Sequence, residues 1–288
     1  VEPKLTVTLG DKTLTEGEDY RVVYENQYER GTATATIYPV TEDGIYTGSN
    51  QASYSISRSI AGAQIRLIDV AFVYTGQEIR PMPSVIFGSQ SLTEGEDYTL
   101  SYSNNVNAGT ARITITGAGG YEEETYIEFT IVPRNILLCA FSETKDQTYT
   151  GTPTSQEIVV TDGGRTLAPD VDYTVSYSDH AAPGIATITL SGAGNYQGIK
   201  TIRYLINLEN VAQVNAKGAE DFVQLSWTAV PGAQGYAVYN ADNEVIAKTT
   251  GLTYKVKGLN AMTTYVYKIR PYTSSGTGTY YGGFSSAV

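Results

Sequence analysis

The sequence predicts an all-β fold, with β-sandwich units in tandem, and three observations predict it. Apolar and polar residues alternate with period 2 over short runs, the pattern of half-buried strands. Glycine and asparagine clusters punctuate those runs where a chain must turn. A stretch of about 75 residues recurs, so each recurrence reads as one structural unit.

The repeat sets the domain organisation. Residues 73–132 align with 148–207 at a constant offset of 75, without a gap, and 22 of 60 positions are identical. Leu14 through Tyr20 is identical to Leu92 through Tyr98, at an offset of 78. The predicted units are 1–57, 58–132, 133–207 and a fourth, 208–288, where the pattern breaks. Nothing upstream of Val1 matches Ile60 to Glu78, so the first unit reads as incomplete and the chain as part of a longer protein. A missing signal peptide therefore says nothing about secretion.

Each element follows from local chemistry. In the second copy Tyr98, Leu100 and Tyr102 share one strand face and Thr99, Ser101 and Ser103 the other. Ala111, Ile113 and Ile115 alternate with Arg112, Thr114 and Thr116, and Ile127, Phe129 and Ile131 with Glu128 and Thr130. The third copy repeats this with Tyr173, Val175 and Tyr177, then Ala186, Ile188 and Leu190, then Ile202, Tyr204 and Ile206. Asn104-Asn105 and Asn107-Ala108-Gly109 suit a hairpin, because asparagine and glycine tolerate left-handed backbone. Gly117-Ala118-Gly119-Gly120-Tyr121 and Gly192-Ala193-Gly194-Asn195-Tyr196 read as glycine turns closed by tyrosine. No window shows a capped 3.6-residue period. Each copy thus predicts five to seven strands in two facing sheets. The alternative is a β-grasp-like α+β unit, in which the glycine-tyrosine turn opens a short helix.

Composition excludes several classes of function. Nineteen basic and thirty acidic residues give a net charge of −11, and a polyanion repels nucleic acid and anionic lipid. No apolar run approaches the length of a membrane-spanning helix, so no membrane insertion is expected. One cysteine precludes an internal disulfide, and one histidine precludes a multi-histidine metal site. Tyrosine, at 24 residues, suits strands with one wet face.

Two resemblances follow from quoted motifs. The copies open on Tyr74-Thr75-Gly76 or Tyr149-Thr150-Gly151. They continue through Asp97-Tyr98-Thr99 or Asp172-Tyr173-Thr174, and close on the glycine-tyrosine turn and an aromatic strand. This resembles Ig-like, β-rich repeats of surface proteins from Gram-positive gut bacteria, and covers residues 1–207. The resemblance implies spacer or adhesive modules. Residues 208–288 resemble a fibronectin type III domain. Trp227 ends Val223-Gln224-Leu225-Ser226-Trp227, Gly235 to Tyr239 looks like the next strand, and Gly258-Leu259 with Tyr265 resembles the tyrosine corner. Tyr265, Tyr267 and Ile269 alternate along the following strand, and Ser274 to Gly283 is read as its hairpin. No Arg-Gly-Asp occurs, so integrin binding through that tripeptide is unsupported.

No set of residues points to catalysis, and the chain is expected not to be an enzyme. His180 occupies a hairpin position held by Asn105 and Gln27 in the other copies and reads as an exposed loop residue. Cys139, in the apolar run Ile136 to Phe141, reads as a buried inert thiol on a strand. Glu94, Glu96 and Asp97 cluster as the carboxylates of a glycosidase do, yet only the aspartate recurs in all three copies, as Asp19, Asp97 and Asp172. That recurrence fits an aspartate bonding turn amides. No loop has the Asp-x-Asp-x-Asp spacing of calcium sites, and no cofactor or metal is expected. Two surfaces are candidates for recognition. One is the aromatic hairpin with Tyr280, Tyr281 and Phe284, the predicted ligand-binding residues. The other is the tip that differs between copies: Gln27 to Arg30, Asn104 to Ala108 and His180 to Pro183.

These readings converge on an elongated, monomeric, non-catalytic region of a secreted or cell-wall-attached bacterial surface protein. Its partners would be a host protein or a glycan. A carbohydrate-binding accessory region of a secreted glycoside hydrolase is the alternative.

Overall fold

The computed structural model describes residues 1–40, 46–276 and 278–288. Among them the chain is all-β, with thirty strands and two single-turn 3₁₀ segments, Ile60–Gly62 and Ile136–Leu138. It divides into two compact units, Val1–Pro133 and Arg134–Val288.

Within Val1–Pro133, residues 58–132 form an Ig-like sandwich. A three-stranded sheet runs in the order Gln90–Ser91, Ser84–Phe87, Gln64–Arg66. A four-stranded sheet runs Tyr98–Ser103, Gly109–Gly117, Glu124–Val132, Ala71–Val73, the last strand joining in parallel. Ala111, Ile113 and Ile115 are fully buried on Gly109–Gly117, as the alternation requires. Residues 1–57 supply Tyr20–Glu25, Gly31–Pro39 and Asn50–Ile56 as one sheet. There Ile37, the counterpart of Ile115, is only half-buried and lines an open groove with Val7, Leu14 and Tyr20.

Within Arg134–Val288, residues 134–207 repeat the sandwich. The sheet order is Ala140–Phe141, Val160–Asp162, Arg165–Thr166 for one face and Tyr173–Ser178, Gly184–Gly192, Ile199–Asn207, Gln147–Thr148 for the other. Residues 208–288 pack three strands, Val214–Gly218, Phe222–Trp227 and Thr253–Lys257, over four, Val245–Thr249, Gly235–Tyr239, Lys268–Ser275 and Gly278–Tyr281. Leu225, Trp227, Tyr236, Val238, Tyr267 and Ile269 fill the space between.

Four expectations needed revision. Each of the second and third copies has nine strand segments rather than five to seven. Two-residue parallel pairs, Arg58–Ser59 with Tyr121–Glu122 and Arg134–Asn135 with Tyr196–Gln197, are too short to show a period. The glycine-tyrosine turn leads into those short strands and not into a helix, which removes the β-grasp alternative. The apolar run at Cys139 is not one strand. Asn135 Oδ1 accepts the Leu137 amide at 3.0 Å and starts a 3₁₀ turn, with the strand beginning only at Ala140. The following strand, read as starting at Tyr265, begins at Lys268.

The 3₁₀ turn drives one isoleucine into each sandwich. Ile60 and Ile136 are fully buried, whereas Leu137 is 53% and Leu138 67% exposed. Gly198 must be glycine beside this turn: its φ is +92°, and a Cβ would stand 2.8 Å from Asn135 Oδ1. Replacing Ile136 by alanine should cost about 2–5 kcal/mol, while Leu137→Ser should change stability by no more than about 0.5 kcal/mol. Urea unfolding of the two variants checks this.

Candidate functional site

The aspartate that recurs in every copy is a structural clamp. Its carboxylate accepts the amide four residues earlier: Thr15 N to Asp19 at 2.8 Å, Thr93 N to Asp97 at 3.0 Å, Ala168 N to Asp172 at 2.9 Å. The aspartate's own amide returns to the carbonyl of the same residue, at 2.8, 2.9 and 2.9 Å. Between them Gly17, Gly95 and Asp170 hold left-handed backbone, with φ of 87°, 86° and 61°. The loop is thereby closed on both sides before the tyrosine strand starts. The side chains of Glu94 and Glu96 are exposed.

Each clamp also has a cation, and its source differs. Lys12 pairs with Asp19 at 3.4 Å and Arg165 with Asp172 at 3.0 Å, both from the adjoining hairpin. The equivalent position in the second copy is Gln90, which is neutral. Its place is taken by Arg30 of the preceding copy, 3.0 Å from Asp97 and 4.5 Å over the Tyr121 ring. A Cβ at Gly120 would meet the Arg30 side chain at 2.8 Å, so the arginine lies flat on glycine.

The variable hairpin tip is anchored. His180 is half-buried, contrary to the exposed loop residue expected from its variation between copies. Its Nδ1 stands 2.8 Å from the Thr154 carbonyl, its own carbonyl accepts the Thr154 amide at 2.9 Å, and its ring lies 5.4 Å from that of Tyr177. Asn105 does the same work differently: Nδ2 donates to Ile79 O at 3.2 Å and its carbonyl accepts the Ile79 amide at 2.8 Å. The residue type varies because two side chains reach the same carbonyl. Pro183 and Gly184 beyond it lie against the following domain, where a Cβ at Gly232 would meet Pro183 at 2.8 Å and one at Gly184 would meet Tyr280 at 3.6 Å.

Many tyrosine hydroxyls are committed to the frame. Tyr24, Tyr102 and Tyr177 occupy one equivalent position and donate to Pro3, Pro81 and Gln156 carbonyls at 2.8, 3.0 and 2.7 Å. Tyr265 accepts the Asn260 amide at 2.9 Å, the bond back to the backbone expected of a tyrosine corner.

The three predicted ligand residues are divided between two faces. Tyr280 pairs with Thr273 and turns toward Gly184 of the third copy. Tyr281 and Phe284 stand on the outer face of the four-stranded sheet with Tyr272 and Tyr239. Phe284 meets Tyr239 edge-on at 4.9 Å and is 38% exposed. Lys248, Lys268 and Arg270 share that face. The signal for them was present in the sequence, as Lys268, Arg270 and Tyr272 at alternate strand positions.

Cys139 is buried, and burial pushes its thiol above the ordinary range, which disfavours the nucleophilic thiolate. Among the described residues, no three His, Cys, Asp or Glu side chains converge to hold a metal.

No protein-family model matches the chain, and no curated protein matches it. A crystal structure of domains from titin is 12% identical, covering 94% of this chain and 97% of its own, with a TM-score of 0.24. The N-terminal eight Ig domains of Down Syndrome Cell Adhesion Molecule are 8% identical, with a TM-score of 0.24. That match covers 89% of this chain but only 40% of theirs. The Ig-like sandwich stands on the strand pairing itself.

The clamp makes stability depend on pH. The Thr15 amide, then the Lys12 side chain, hold the Asp19 carboxyl below its ordinary value of 3.8. A folded-state value below the unfolded one means that the contribution is present above about pH 4 and is lost as pH falls through the lower folded value. Asp19→Asn should therefore flatten the acid limb of a stability–pH profile measured by urea unfolding. At the hairpin anchor, His180→Asn should retain stability, as Asn105 does in its copy, while His180→Ala should cost about 1 kcal/mol.

Proposed function

We propose that the chain is a non-catalytic stretch of a secreted or wall-attached bacterial surface protein, in which modules space and present adhesive faces. In this reading residues 1–57, 58–132 and 133–207 are successive Ig-like repeats and 208–288 is a fibronectin type III domain. The partner is a host protein or a glycan, and the chain acts as a monomer.

One observation carries the reading: in two copies the hairpin tip, which differs between copies, docks on the next module. Arg30 leaves its own hairpin and completes the Asp97 clamp of the second repeat, where Gln90 supplies no charge. Pro183 and Gly184 contact the domain that follows them. Variation at these tips is thus matched to a particular neighbour. A spacer needs such joints, because inter-module angles drift when a linker alone connects two domains. An enzyme would instead need converging groups with fixed partners in a cleft. The aspartates that could have formed an acid pair are each bonded to turn amides.

The joint can be measured. Arg30 and Asp97 are 28% and 16% exposed at their side chains, so solvent screens the pair only in part. A double-mutant cycle of Arg30→Ala with Asp97→Ala should show a coupling of about 1 kcal/mol. Gly120→Val should reproduce the loss by displacing Arg30, seen as altered inter-module orientation in residual dipolar couplings. Zero coupling with unchanged orientation would defeat the spacer reading.

A further inference from the structure

The acidic character of this chain is confined to its repeats. Residues 1–207 carry 13 basic and 25 acidic side chains, 13 − 25 = −12, while residues 208–288 carry 6 and 5, 6 − 5 = +1. Three of those six cations, Lys248, Lys268 and Arg270, share the outer face of one sheet. The register sets Lys248 and Arg270 on either side of Ala237, Lys268 beside Tyr239, and Tyr272 beside Tyr281. The opposite face, with Tyr236, Val238 and Ile269, belongs to the core.

On the outer face each cation lies against a ring. The Arg270 guanidinium stands 4.9 Å from the Tyr281 centroid and 5.1 Å from that of Phe284, with its Nε donating to Gly282 O. Lys268 lies 5.6 Å from Phe284, and Lys248 lies 5.4 Å from Tyr272 and 5.9 Å from Tyr281. Lys248 also donates to the Tyr281 hydroxyl at 3.3 Å. Among the described residues none of the three is within ion-pair distance of a carboxylate. The rings hold the cations without neutralising them, so the face keeps its charge.

We propose that this face binds an acidic sugar, a sialic or uronic acid residue of a glycan. Its carboxylate would meet Lys248 and Arg270, and its C–H surface would lie on Tyr281 and Phe284. Three features favour that occupant. The positive charge suits a carboxylate. The partly exposed aromatic rings suit a pyranose face. The local charge is offset from the acidic repeats, whose fields are screened over roughly 8 Å at physiological salt. A neutral glycan would leave the three cations without a role, and an acidic peptide would not need the ring surface. The inference gives the adhesive part of the proposed function a ligand and rests on that reading. The Arg30–Asp97 coupling involves no sugar, so the two can fail separately.

The test titrates the full chain with 3′-sialyllactose and with trigalacturonate, using lactose and maltotriose as neutral counterparts, followed by NMR shifts and calorimetry. At least one acidic sugar should saturate, and its neutral counterpart should not. Lys248 is exposed, so Lys248→Gln should leave the melting temperature unchanged and weaken binding by roughly tenfold, the effect of one charge-assisted bond. Arg270→Lys keeps the charge but loses the planar contact with two rings, and should weaken binding as well. Preference between the two sugars would identify the acid. Saturation by neither, equal binding of the neutral sugars, or binding unaffected by Lys248→Gln would overturn the proposal. So would saturation by an oligoglutamate peptide alone, which would make the partner a protein.

Discussion

A carboxylate closing a four-residue loop is the constraint on which the rest of the repeat depends. Asp19, Asp97 and Asp172 each accept an amide from the start of their loop and return a donor to the same residue, so the chain enters the next strand at a fixed angle. Strand pairing then proceeds in one register. A slip of one residue would turn Ala111, Ile113 and Ile115 outward and their polar neighbours inward. The clamp therefore protects a core that lies some distance from it along the chain. It also explains why an acid recurs in identical place: one carboxylate oxygen holds a backbone amide, and the carboxylate faces a cation.

The same clamp serves as a joint where its own copy supplies no cation. A cation beside the carboxylate comes from within the copy at Lys12 and Arg165, but Gln90 cannot provide it. Arg30 supplies it from the preceding copy and adds ring contact with Tyr121. There the local structural device also fixes one repeat on another. Within the second unit the equivalent tip, at Pro183 and Gly184, packs against the C-terminal domain by shape instead of charge. The two joints share a position in the fold and differ in chemistry.

The C-terminal domain carries a different kind of surface. Its inner face spends aromatic and aliphatic area on a core around Trp227 and Tyr236, whose rings lie 5.5 Å apart. Its outer face alternates cations with rings, and the cation–ring contacts cover Ala237 and Gly235 without removing charge from solvent. The charge asymmetry between repeats and this domain places this positive sheet face on the module with the fewest acids.

Much of the fold was legible in sequence because its determinants are local. Period-2 alternation set the strands, and the residues facing in on Gly109–Gly117 and Gly184–Gly192 are the ones found buried. The internal repeat fixed the equivalence of the three aspartates, and their bonding to turn amides followed from aspartate's short reach. The 3₁₀ turns were not legible, since three residues are too few for a period and Ile136 to Phe141 reads equally as a strand. Nor was the anchoring role of His180, because histidine and asparagine reach the same carbonyl by different atoms and so look like drift. Of Tyr280, Tyr281 and Phe284, sequence named the hairpin. Only strand register separated Tyr280 from the outer face and brought Lys248 across from another strand. The partnership of Arg30 with Asp97 belongs wholly to tertiary structure, because 67 residues separate the two and no local pattern links them.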